Sequence, residues 1–200
     1  MSKLHPLSTE SRYSMDMACQ LLYQYHPRSV RVYSDDVETV QALARRLGWL
    51  PGTLTVGSVA LVEAVSDIPG IHAISYDAQT EADAAVVLFP EGQTASQLQA
   101  KYIVAVGYNA FSYKSLLRPG SVGSSVFRLV NDLKTRYTID CRIGLFTPTY
   151  LVPWLISMLA GTRFPVTHFR AGQIALDHLF VRNWIWRTGY IVIVAGHQRS

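Results

Sequence analysis

Six short apolar runs constrain this chain more than any other feature of its sequence. They are SVRVYS (Ser29–Ser34), TLTV (Thr53–Val56), IHAIS (Ile71–Ser75), AAVVLF (Ala84–Phe89), YIVAV (Tyr102–Val106) and YIVIVA (Tyr190–Ala195). Each is too short for a helix, and most do not alternate with polar residues. Strands of that composition are buried on both faces. A sheet with one wet face does not produce them; a mostly parallel sheet covered by helices on both sides does.

The segments between the runs support that reading. After Asp35 and Asp36, the residues Val37, Val40, Leu43, Ala44 and Leu47 fall at helical spacing. Arg45 and Arg46 suit the negative end of that helix, and Gly48 ends it. A second helix runs through Leu61, Val62 and Val65, and an amphipathic third carries Val126, Leu129, Val130 and Leu133. Ahead of the first strand, Ser14 is placed to cap a helix through Leu21, Leu22 and Tyr25 that Pro27 stops. A further strand, Tyr137–Phe146, opens with alternation, and residues 147–189 read as two helices before the last strand. The expected fold is a single α/β domain over residues 1–200: a Rossmann-like, seven-stranded, mostly parallel sheet. Residues 1–28 form a helical extension and 147–189 a helical insertion.

A chain of 200 residues buries enough surface to fold without disulfides or metal. Only 16% of residues are charged, against a usual share of about 25%. Some of the surface is therefore expected to meet a partner. The formal charge is +4, and residues 147–200 account for it, with Arg163, Arg170, Arg182, Arg187 and Arg199 against Asp177. The polar N-terminus lacks the apolar core of a signal peptide, and the run Tyr150–Ala160 is too short to span a bilayer. With Cys19 and Cys141 far apart, a cytoplasmic location is expected.

The order of elements resembles the class I S-adenosylmethionine-dependent methyltransferases, of the type 11-like kind, over roughly residues 29–198. The likeness is strongest in PGIHAISYDAQTEADAAVVLF, Pro69–Phe89. There Asp77 matches the acidic turn that approaches adenine, and Asp83 matches the acid opening strand four. Asn109-x-x-Ser112 and Leu176-Asp177-His178-Leu179 running into Gly189–Val194 are similar to recurring family segments. The resemblance implies a last strand lying antiparallel beside the sixth, and a substrate pocket near Asn109, Ser112 and Tyr113.

The departures from that family are concentrated at the cofactor. Its first strand ends in a loop of the form D-x-G-x-G-x-G, whose glycines admit the ligand to backbone N–H groups. Here Ser34 replaces the acid, and Asp36, Glu38 and Val40 replace the glycines. Ser58 stands where an acid holds the ribose. Asp35 or Asp36 is instead suited to cap the following helix. The reading is a catalytically degenerate methyltransferase-like domain that acts as a binding or structural subunit, with no cofactor expected. The alternative is an active methyltransferase with an atypical loop. In it Asp36, Ser58, Asp77 and Asp83 would bind S-adenosylmethionine, with Asp83 near the methyl-transfer edge.

No nucleophile elbow, P-loop or dinucleotide glycine motif is present. The six histidines lack metal-ligand spacing, so no metal site is expected. Trp154, Trp184 and Trp186 crowd the insertion, which marks 147–189 as the expected contact surface for a protein partner or a second copy. A peripheral membrane contact is a further use of the same region. Nucleic acid is not expected as a partner, since the basic C-terminal stretch reads as a solvated face, and the scattered arginines favour a protein contact over a membrane one.

Overall fold

The computed structural model describes residues 9–34, 36–75, 82–88, 98–108, 126–145 and 191–199. In chain order these form α1 (Thr9–Tyr25), β1 (Val30–Tyr33), α2 (Val37–Arg46), β2 (Thr53–Val56), α3 (Val59–Ser66) and β3 (His72–Ser75). They continue with β4 (Ala82–Leu88), β5 (Ala100–Tyr108), α4 (Val126–Lys134), β6 (Tyr137–Leu145) and β7 (Ile191–Gln198). The insertion 147–189 lies outside the described residues.

The seven strands make one sheet in the order β3-β2-β1-β4-β5-β7-β6. β1 pairs in parallel with β2 and β4, β2 with β3, and β4 with β5. β7 enters between β5 and β6 and is antiparallel to both. The expected Rossmann-like, mostly parallel sheet with an antiparallel last strand is the observed one.

Alternate side chains along each strand feed two apolar layers. Val30, Val32, Leu54, Val56, Val86, Val104 and Ile193 face one side, where they meet Leu22 of α1, Leu43 and Leu47 of α2, and Leu61 and Val65 of α3. Ala85, Val87, Ile103, Ala105, Val192 and Val194 face the other, against Val130 and Leu133 of α4 and the ring of Tyr137. The Tyr137 hydroxyl donates to the carbonyls of Ala100 (3.0 Å) and Leu98 (3.3 Å), so its polar tip is satisfied inside the layer.

The first helix differs from expectation. It starts at Thr9, and Ser14 is a fully buried residue inside it rather than its cap. Met15, Ala18 and Leu22 are likewise fully buried, and α1 packs on β5, β7 and α2. The burial of its inner face makes α1 a covering layer of the sheet.

Candidate functional site

In α/β sheets of this kind, ligands bind beyond the C-terminal ends of the parallel strands, where helix N-termini converge. At the end of β1 the chain turns through Ser34 and Asp36 into α2. Asp36 is the N-cap, extended at φ −85 and ψ 111. Its carboxylate accepts the Thr39 amide at 3.0 Å and also the Thr39 hydroxyl. Its carbonyl accepts the Val40 amide at 3.0 Å, and its own amide donates to Ser34 Oγ at 3.3 Å. Glu38 adds a second acid to the first turn, on the positive end of the helix dipole.

The end of β2 is built in the same way. Ser58 is the N-cap of α3, and its Oγ accepts the Leu61 amide at 3.3 Å. Both helix N-termini at this edge thus hold side chains engaged as caps. The first residues of the two helices, Val37 and Val59, are exposed by 42% and 64% at the same edge.

Asp83 lies elsewhere. It is the second residue of β4, at the N-terminal end of the strand. Its carboxylate accepts the Arg28 amide at 2.8 Å, and its amide donates to Ser29 Oγ at 3.0 Å. At about 3.3 Å per residue, the five residues from Asp83 to Leu88 put it roughly 16 Å from the C-terminal edge. Its expected place near a methyl-transfer edge is therefore corrected: Asp83 ties β4 to the entry of β1. Asp77, Asn109, Ser112, Tyr113, Trp154, Trp184 and Trp186 lie outside the described residues.

No protein-family model matches the chain, and no curated protein matches it by sequence. Solved structures do match. The methyltransferase domain of bacterial CtHen1-C superimposes with a TM-score of 0.53 at 8% identity, over 94% of this chain and 98% of that one. The CtHen1-CN form gives 0.52 at 10% identity, over 93% and 98%. The chain has the class I methyltransferase fold.

On this methyltransferase fold, the sequence reading missed three features. Arg31 is only 1% exposed in the middle of β1, on the face opposite Val30 and Val32, and its Nη1 donates to Tyr33 Oη at 3.4 Å. A lone arginine in an apolar strand was the available signal. The second feature is at the opposite edge of the sheet, near the N-terminal ends of the parallel strands. There Asp140 Oδ2 accepts the Tyr25 hydroxyl at 2.8 Å and lies 2.9 Å from His197 Nδ1. Asp140 is the residue skipped in the β6–β7 register between Ile139 and Cys141, and Tyr25 stacks on Tyr102 at 4.6 Å. Burial, with Asp140 adding to it, pushes the Tyr25 hydroxyl well above the usual range for a phenol. Burial likewise raises the Cys141 thiol, and pushes Cys19 up to about 12, so both cysteines are held as thiols. The third feature is an aromatic group in which the Tyr23 ring meets Trp49 at 5.1 Å and His26 at 5.2 Å, both edge-on.

Asp36→Ala removes an N-cap whose acceptor has two donors. The expected cost is about 0.5–2 kcal/mol of stability. A urea melt of the variant reads it as a lower midpoint with unchanged slope. An unchanged midpoint would show that the capping bond contributes nothing.

Proposed function

We propose that this is a methyltransferase-fold domain that does not hold S-adenosylmethionine and serves as a binding or structural subunit. One observation carries the reading. The Asp36 carboxylate sits on the Thr39 amide at the start of α2, where a glycine loop would leave room and donors for a ligand. A buried or part-buried donor already satisfied by a charged acceptor gives up about 1–3 kcal/mol if that acceptor is moved away. Ser58 on the Leu61 amide adds the same argument at the second position. The described residues of this edge therefore do not fit the cofactor in the way a glycine loop does. The expected contact surface of the subunit is the insertion 147–189 with Trp154, Trp184 and Trp186, and the expected partner is a protein or a second copy of the chain.

The second reading is an active methyltransferase with an atypical loop. Its support is the likeness to methyltransferase domains over 94% of the chain. In it Asp77 would approach adenine, and Asn109, Ser112 and Tyr113 would face the methyl acceptor.

Titration calorimetry with S-adenosylmethionine and S-adenosylhomocysteine separates the two. The expected outcome is no heat with either ligand from a protein shown to be folded by circular dichroism. Micromolar binding, about −8 kcal/mol, would overturn the subunit reading in favour of the enzyme.

A further inference from the structure

We propose that the end of α1 and the end of β7 form one cooperative unit, locked through the Asp140 carboxylate, so that release of either end loosens the other. The lock ties the first described element of the chain to the last, and the inference holds whether or not the domain binds S-adenosylmethionine.

The lock starts from the irregularity in β6. Ile139 pairs with Gly196 and Cys141 with Ala195, so Asp140 has no partner of its own on β7. Residues two apart on a regular strand share a face. Here Ile139 packs with the layer that holds α4, and Cys141 with the layer that holds α1, α2 and α3. The extra residue turns the strand from one face to the other. It also delivers the Asp140 side chain to the end of α1, where Tyr25 meets it.

Four elements meet there in a closed circuit. Tyr25, the last residue of α1, donates its hydroxyl to Asp140 Oδ2 at 2.8 Å, and His197 Nδ1 of β7 lies 2.9 Å from the same oxygen. An ionised carboxylate only accepts, so the Nδ1 proton of His197 points at it. His197 pairs with Tyr102 of β5 on one side and with Thr138 of β6 on the other. Tyr102 closes the circuit by stacking on Tyr25, with centroids 4.6 Å apart and 16° between the planes. Burial keeps the Tyr25 phenol protonated, so it stays a donor.

A single exposed pair of this kind contributes little, and the side chains of His197 and Asp140 are 46% and 34% exposed. This group differs because one oxygen serves donors from two elements. When the end of α1 lifts, Asp140 loses the Tyr25 hydroxyl and Tyr102 loses its stacked ring. The two side chains that steady His197 are then free to move. When the end of β7 frays, Tyr102 loses its cross-strand neighbour and Asp140 loses the imidazole, which leaves Tyr25 an unsteadied acceptor. Groups that share a partner couple, whereas separate sites add, and local opening of a protein follows such units. A partner that draws away the end of α1 would thereby loosen β7 as well.

Native-state hydrogen exchange, followed by NMR on the full chain, tests this with Tyr25→Phe, His197→Ala and the two combined. Tyr25→Phe keeps the ring on Tyr102 and removes only the hydroxyl. It is expected to speed exchange of the Gly196–Gln198 amides in β7 as well as the Leu22–Tyr25 amides in α1, by about two- to fivefold. His197→Ala should do the same at both ends, and the combined variant should add little to either single one. The amides of α2 should keep their parent rates. Variants that speed only their own element, or whose effects multiply as those of separate sites do, would overturn the proposal. So would unchanged rates at both ends, or an equal increase in α2, which would mark a loss of global stability instead of a local lock.

Discussion

Ile193→Ala is expected to be among the most damaging single changes in the described part of the molecule. Ile193 is fully buried in β7, opposite Val106 of β5 and Ile143 of β6, in the layer shared with α1, α2 and α3. Truncation removes apolar atoms that lie among three packed strands and leaves a cavity that two ladders prevent from collapsing. Changes of this kind cost about 2–5 kcal/mol, against a total stability of about 5–15 kcal/mol for a typical domain. Each kcal/mol lowers the melting temperature by roughly 2–4 °C at this chain length. Val59→Ala, at a residue 64% exposed, is the control, with an effect within about 0.5 kcal/mol. Thermal melts that do not separate the two variants would refute this account of the core.

Gly196→Ala tests the opposite failure, too much volume. Gly196 sits in β7 between Ile103 of β5 and Ile139 of β6, next to the register shift in β6. A β-carbon there would be 3.2 Å from the Thr138 carbonyl carbon and 3.3 Å from the Ile139 Cα, with the Thr138 oxygen nearer still. These obstacles are backbone, so no side-chain rotation relieves them, and β6 must move away from β7. The expected cost is about 1–3 kcal/mol or somewhat more. Gly57→Ala, where nothing lies within 4 Å of the added carbon, provides the comparison. Because the displaced strand also carries Asp140, the variant should weaken the Asp140 bond to Tyr25. Ring resonances of Tyr25 and Tyr102 that keep their parent positions would show that β6 has not moved.

Most of the sheet was legible because burial on both faces leaves a compositional mark. Thr53–Val56 is bounded in the structure just as its sequence suggests. Other ends were set by neighbours. β5 runs from Ala100 to Tyr108, beyond its apolar centre, because β4 and β7 continue the ladder on either side. β7 extends through His197 and Gln198 because Thr138 and Tyr137 of β6 pair with them. No apolar pattern announces such residues. At the C-terminal edge of the parallel strands, the Asp36 cap was legible because capping is local, made with a residue three positions on. Asp83 opens a parallel strand, and that end lies away from the C-terminal edge, so its position along the chain argued against the place the family resemblance implied. Arg31 left a local sign, a lone arginine in an apolar strand, whereas the contact of Tyr23 with Trp49 joins distant segments and leaves none in a single sequence.

The position of β7 bears on the order in which the molecule can be completed. β7 (Ile191–Gln198), which follows the other described strands in chain order, is second from the edge of the sheet and joins two strands that do not pair with each other. Until it arrives, β5 and β6 each present a nine-residue edge with unpaired amides and carbonyls. The ladder closed by Val104 with Ala195 spans most of the second half of the chain, and contacts of such separation form slowly. Among the described strands, the polypeptide therefore passes through a stage in which the facing edges of β5 and β6 are open in addition to the outer edges that β3 and β6 keep in the finished sheet. That stage is where a chaperone, or a second unfinished copy, would find the molecule most receptive.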